Sequence, residues 1–265
     1  MVLTLVAVRG SARRSGSVIE RNVATLRSSY WVVMATGFLE PVLYLFSIGI
    51  GVGALVGDLP LPDGRVVSYA AFVAPAMLAA SAMTGALSET TFNFFGKMKF
   101  MKLYDGMLAT PLQPMEVALG ELAWAMLRGS IYAAAFLALM VVMGLTTAGP
   151  AVVAFFAAVL VGFAFGGAGM ALSTFMRSWQ DFDLMASAQF ALFLFSGTFV
   201  PAESYPAVLR WVVEVTPLYR SVDLIRGVTT GSWGWLQVVD VLYLIVLFAA
   251  GLAVAGRRMT ALLCK

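Results

Sequence analysis

From Gly129 to Met176 the chain runs 48 residues without an aspartate, glutamate, lysine or arginine. An apolar α-helix crosses the hydrocarbon core of a bilayer in about 20 residues, so this run is long enough for two crossings. Thr146-Thr147-Ala148-Gly149-Pro150 interrupts it near the middle, and Gly-Pro after two threonines is where a tight helical hairpin turns. The solvent this chain folds against is therefore lipid. Composition agrees: 61% of residues are hydrophobic, 12% are charged and the mean hydropathy is +0.90. A soluble domain carries about 25% charged residues.

Several kinds of chemistry are excluded at once. The chain has no histidine and one cysteine, Cys264. That removes the commonest general base, any Cys-cluster metal site and an intrachain disulfide. No G-x-x-x-x-G-K-[ST] phosphate loop occurs; the glycine-rich stretch Gly162 to Gly169 lacks the lysine and lies inside an expected span. Serines and aspartates are scattered with no base beside them to activate a nucleophile. We expect no catalytic residue, no metal and no cofactor bound by this chain. A net charge of +3 is better explained by loop orientation than by nucleic acid. The short N-terminal apolar stretch lacks a leading basic region and runs into Arg9, Arg13 and Arg14, so it does not read as a secretory signal.

Six spans are expected, near Tyr30–Val56, Ser68–Ser88, Glu121–Leu145, Ala151–Met176, Leu184–Val200 and Leu236–Ala255. They place both termini on one side. Of the lysines and arginines, thirteen fall on that side, including Lys97, Lys99 and Lys102 in the second-to-third loop, and four fall opposite: Arg65, Arg210, Arg220 and Arg226. Positive residues stay inside, so both termini are expected in the cytoplasm. The fold class is thus an all-α integral membrane domain. Residues 1–29 form a cytoplasmic tail and interfacial helix, 30–257 a six-span bundle and 258–265 a second cytoplasmic tail.

Two segments do not span. Ser17 to Tyr30 gathers Val18, Val23, Leu26 and Tyr30 on one helical face, which suits an amphipathic helix lying in the interface; the alternative is a solvated basic tail. Pro201 to Trp235 is too apolar for a free loop and too broken to cross. Two short external helices dipping into the outer leaflet fit it, with Trp211, Tyr219, Trp233 and Trp235 at headgroup level.

The second-to-third loop, Phe95 to Glu116, mixes Lys97, Lys99 and Lys102 with Met98, Phe100, Met101, Leu103 and Tyr104. It reads either as a short helix docked on a cytoplasmic partner or as a helix resting on anionic lipid. Glu40 lies deep in the first span, where a lone carboxylate costs about 2.5–3.5 kcal/mol. Arg128, at matching depth on the third span, is the expected partner of this intramembrane pair. Arg220, Asp223 and Arg226 are spaced to share one helical face, as an external gate or as a salt-bridge ladder with Glu203 or Glu214. Gly49-x-x-x-Gly53 and Gly162-x-x-x-Gly166 permit close helix approach, within the domain or at a dimer seam.

Phe38 to Gly51, Tyr104-Asp-Gly-Met-Leu-Ala-Thr-Pro-Leu through Gly120-Glu121 to Gly129, and Thr216-Pro-Leu-Tyr-Arg-Ser-Val-Asp-Leu-Ile-Arg-Gly227 occur in that order along the chain. Together they resemble the ABC type-2 export permeases, in particular the nodulation-factor-exporter (NodJ-like) and daunorubicin-resistance branch. The resemblance implies the membrane subunit of an ATP-binding cassette exporter in a bacterial inner membrane. Such a subunit pairs with a second permease copy, identical or a sister. It is powered by a separate ATPase subunit, which would hold the ATP and magnesium. Lys97 to Asp105 would be the element that couples to that ATPase. The cargo would be an amphiphile: a drug, glycolipid or lipo-oligosaccharide. An ion- or proton-coupled secondary transporter is the alternative, and it would want inverted repeats that the chain does not display.

Overall fold

The computed structural model describes residues 18, 22, 39, 42–60, 64–109 and 112–263. Within them the chain is a bundle of helices joined by short turns. Helix α1 spans Val42–Val56, and a two-stranded antiparallel hairpin follows: β1, Asp58–Pro60, against β2, Val66–Ser68, with Leu59 opposite Val67. Helix α2 runs Tyr69–Phe100. Ser68 caps it, its hydroxyl accepting from the Ala71 amide at 3.3 Å. Next come α3, Leu103–Leu108, α4, Pro114–Val142, and α5, Ala148–Ser173. Then α6, Gln180–Leu194, α7, Ala207–Val215, α8, Pro217–Thr230, and α9, Trp235–Leu263, complete the bundle.

Four of these helices, α2, α4, α5 and α9, are long and apolar enough to cross a membrane. The charge-free run is the second half of α4, from Gly129, and α5, with a turn at residues 143–147, where Gly144 takes a φ of 71°. That is the hairpin the sequence led us to expect, displaced by a few residues. Helix α6 and the described part of α1 rise about 22 Å each, against a core of about 30 Å. Six crossings are therefore not established by helix length alone.

Helix α5 is the centre of the bundle, packing on α2, α4, α8 and α9. Glycine makes this possible. A Cβ on Gly166 would stand 2.7 Å from Leu122 Cδ1 of α4, and one on Gly162 would stand 3.0 Å from Met126 Sδ. The Gly162-x-x-x-Gly166 pair therefore serves packing inside the domain. Gly49 and Gly53 likewise face Ala70 and Tyr69 at the start of α2. Around this seam Leu78, Met83, Leu122, Phe136, Met140 and Met170 form a buried core.

Helices α2, α5 and α9 run in one direction and α4 runs back between α2 and α5: Gly167 meets Phe248 and Thr174 meets Arg258, whereas Gly162 meets Met126 and Gly166 meets Leu122. One end of the bundle carries Lys97, Lys99, Lys102, Arg177, Arg257 and Arg258; the other carries the hairpin, α7 and α8. These last two are the short helices expected between Pro201 and Trp235. Of the expected N-terminal interfacial helix only Val18 and Asn22 are described, both helical and buried; the rest of it, and Glu40, lie outside the described residues.

Candidate functional site: the lysine-bearing end

Helix α2 does not stop at Ser88, as the charge at Glu89 suggested. It continues to Phe100 through two stretches of wide turns, Glu89–Asn93 and Gly96–Phe100. Wide turns leave some carbonyls without their usual partner, and the side chains of Thr90 and Thr91 supply one: their hydroxyls donate to the carbonyls of Ala86 and Leu87 at 2.7 and 2.5 Å. Such bulges are frequent at functional sites. Helix α2 rises about 48 Å in all, longer than the hydrocarbon core is thick.

Two ion pairs stitch this end of α2 to α4. Arg128 bonds Glu89, which also accepts from Asn93 Nδ2 at 2.8 Å. Lys97 Nζ meets Glu121 Oε2 at 2.6 Å. The same Glu121 oxygen accepts from Asn22 Nδ2 at 3.2 Å. One carboxylate thus ties together the N-terminal segment, the end of α2 and the start of α4. Glu121 is the glutamate of the Gly120-Glu121 motif, to which the sequence alone assigned no role. Among the described residues the partner of Arg128 is Glu89; Glu40, its expected partner, lies outside the described residues. Depth along a span is shared by every helix in the bundle, whereas partnership depends on which faces meet.

The lysine segment divides into an inward and an outward set. Met98 and Tyr104 are buried, and the Tyr104 ring packs on Phe94 with centroids 5.1 Å apart. Lys97 is drawn inward by Glu121. Lys99, Phe100, Met101 and Lys102 are exposed, Met101 by 74%. Lys102 adopts a left-handed φ of 46°, a conformation uncommon for a residue with a Cβ, and so turns the chain from α2 into α3, which begins at Leu103. Asp105 lies in α3.

Phe100 stacks on Trp179, centroids 5.0 Å apart and planes 19° from parallel. Phe92, Phe95 and Phe182 complete an aromatic cluster around that indole. The cluster joins α2 to the start of α6. Trp179 sits in a turn where Asp181 accepts from the amides of Arg177 and Ser178 at 2.7 and 3.2 Å. Those two bonds hold the Asp181 carboxyl below its ordinary pKa. Sequence reading missed Trp179, Phe92 and Phe182 because aromatic residues near a span end look alike whether they meet lipid or each other.

At the opposite end Arg220, Asp223 and Arg226 share a helix; Arg220 and Asp223 both act on Asp240 of α9, while Arg226 turns elsewhere. Arg220 Nη1 reaches Asp240 Oδ1 of α9 at 3.1 Å, and Gln237 Nε2 donates to Asp223 Oδ2 at 3.2 Å. Arg226 donates to the carbonyls of Phe72 and Gly197 at 3.2 and 2.8 Å and lies over the Phe72 ring at 3.8 Å. The expected ladder with Glu203 or Glu214 is replaced by these bonds between elements; Glu214 is taken by Arg210 at 2.6 Å. Burial lowers the Arg226 pKa to about 10, and nearby Asp223 opposes the shift; the group stays cationic at neutral pH. Among the described residues no cluster of three or more acidic, cysteine or histidine side chains could hold a metal ion.

Residues 16–229 match the ABC-2 type transporter family. The chain belongs to that family. Two curated relatives span nearly its whole length. Nodulation protein J of Rhizobium leguminosarum bv. trifolii is 30% identical, covering 97% of this chain and 98% of its own. Nodulation protein J of Rhizobium leguminosarum bv. viciae is 29% identical, covering 92% and 94%. Nodulation protein J of Rhizobium meliloti (strain 1021) is 31% identical over 73% of this chain and 72% of its own. The protein is therefore a multi-pass membrane component of an ABC-2 type transporter. The lysine-bearing end and the opposite end are its two faces.

Proposed function

We propose that this chain is the membrane half of an ATP-driven exporter of amphiphiles in a bacterial inner membrane. Helices α1 and α6 join the four long helices to make six crossings. The lysine-bearing end faces the cytoplasm, because basic residues flanking spans stay inside, and both termini lie there. A separate ATPase subunit binds ATP and magnesium and docks on Lys99, Phe100, Met101 and Lys102. Two permease copies, identical or sister chains, flank the cargo path.

The observation that carries this reading is the outward set on α2. It is apolar and cationic together, which a merely solvated loop does not need. It is also anchored by the two ion pairs to α4, so a push on Phe100 moves α2 and α4 as one body. Arg220 and Asp240, joined across α8 and α9, close the outer end between transport cycles. Family membership supports the same reading.

The test is copurification. A tagged chain is expected to retain an ATPase bearing a phosphate-binding loop, with vanadate-sensitive turnover that needs both proteins. Replacing Lys99 and Lys102 together with glutamate places two like charges where the partner meets two cations. Like-charge contacts at an interface cost several kcal/mol, so we expect at least a tenfold loss of retained ATPase at unchanged folded yield. Transport driven by a pH gradient in the lone reconstituted chain would overturn the proposal.

A further inference from the structure

A cavity of about 850 Å³ opens at the end of the bundle remote from the lysines, among the β-hairpin, the start of α2, the segment before α7, and α8 and α9. That volume lies within the usual range for small-molecule sites, about 300–1,000 Å³. Its walls are largely apolar and include the rings of Tyr69, Phe72, Phe199 and Tyr219. Among the described residues the charged lining is two carboxylates and one guanidinium: Glu203, Asp223 and Arg226.

The guanidinium is turned to the wall. Its Nε and Nη2 are given to the carbonyls of Phe72 and Gly197, and its plane rests on the Phe72 ring. Arg220 and Arg65 stand nearby but do not line the cavity; Arg220 bonds Asp240, and Arg65 bonds the Thr230 carbonyl. The carboxylates are placed differently. Gln237, itself fixed by accepting from the Gly234 amide at 2.7 Å, donates to one oxygen of Asp223 and so holds the group in position. Glu203 is exposed at the rim. Burial and the nearby acids push the Tyr219 phenol well above its ordinary pKa, so it adds a neutral ring and no negative charge.

Aromatic rings attract cations through their negative faces, more strongly once the cation is desolvated. Two carboxylates in the same lining select the same charge. We infer that this cavity binds a lipophilic organic monocation: an apolar body bearing one ammonium or phosphonium centre. The body lies against Tyr69, Phe199 and Tyr219, and the charge sits between Asp223 and Glu203. The inference names a cargo class for the exporter proposed above and rests on that reading for its role, though not for the binding itself.

The test uses two probes of one shape and opposite charge, tetraphenylphosphonium and tetraphenylborate. Equilibrium dialysis against the full chain in lipid nanodiscs, with empty nanodiscs subtracted, gives protein-dependent binding. We expect saturable binding of the phosphonium, at least tenfold weaker binding of the borate, and at least a tenfold loss of phosphonium affinity in Asp223→Asn. Glu203→Lys is expected to lose as much and guards the test against a folding defect, because Glu203 is exposed. Equal binding of both ions, no saturable binding, or an unchanged affinity in Glu203→Lys would overturn the assignment. Failure here with the ATPase still copurifying removes only the cavity's role. Absence of any ATPase with binding intact removes the exporter reading and leaves the site.

Discussion

Arg128→Ala is expected to lower the stability of the folded chain by about 3 kcal/mol, within the 3–5 kcal/mol typical of removing one partner from a buried ion pair. Glu89 is 7% exposed and Arg128 18%, so water offers the remaining carboxylate little. Asn93 would still donate one hydrogen bond to it, which offsets part of the loss and holds the figure to the low end of that range. Glu89→Gln should cost less than Arg128→Ala. It keeps the shape and the polar contact, and it leaves a cation whose long stem can carry it toward the interface. The double variant should be more stable than the sum of the two losses implies, because neither charge then remains buried alone. Unfolding of the detergent-solubilised chain, followed by tryptophan fluorescence, measures all three. Additive losses would show that the two residues do not act as a pair.

That pair also shows where sequence reading succeeds and where it stops. The 48-residue charge-free run announced α4, the turn and α5, because a helix in lipid must be apolar along its whole length. The break into α7 and α8 was legible in Pro206 and Pro217, each of which immediately precedes or opens a helix, where proline's missing amide costs nothing. The end of α2 was misplaced because Glu89 was read as the end of the apolar stretch. Its charge is neutralised by Arg128, so the helix continues through it. Interhelical partners were not legible at all. Arg220 finds Asp240 because Gly231, at a φ of 74°, ends α8 in the left-handed conformation and returns the chain alongside it. A single glycine predicts a helix end but not the angle at which the next helix leaves.

The β-hairpin is a further case. Three residues per strand are too few for an alternating pattern to be seen, and β1 ends at a proline. The lysine segment falls between these extremes. Its residue types suited a partner-facing element and a helix on anionic lipid alike, and only the geometry separates Lys97, committed to Glu121, from Lys99 and Lys102, which are exposed.

Gly251→Ala should damage the fold more than any other single added methyl group in the bundle. A Cβ on Gly251 would stand 2.6 Å from both Ala168 N and Gly167 O, and closer still to Gly167 C. These are backbone atoms of α5, so no side chain can swing aside to make room. On the other side of the contact, a Cβ on Gly167 would meet the Phe248 carbonyl at 2.9 Å. Helices α5 and α9 therefore touch backbone to backbone, as small residues allow within a membrane. Relief requires the two helices to part, which loosens contacts along the rest of the seam. Overpacking typically costs about 1–3 kcal/mol where side chains can yield; with backbone on the opposing face the cost should reach or exceed the upper figure. Gly85→Ala is the matched control. It makes the same chemical change in a long helix with nothing within 4 Å of the new carbon, and the helix propensity of alanine favours it by up to about 1 kcal/mol. The monodisperse fraction after solubilisation and the midpoint of thermal unfolding should fall for Gly251→Ala and hold or rise for Gly85→Ala. If both variants behaved alike, the close approach of α5 and α9 would not be what holds the centre of this bundle together.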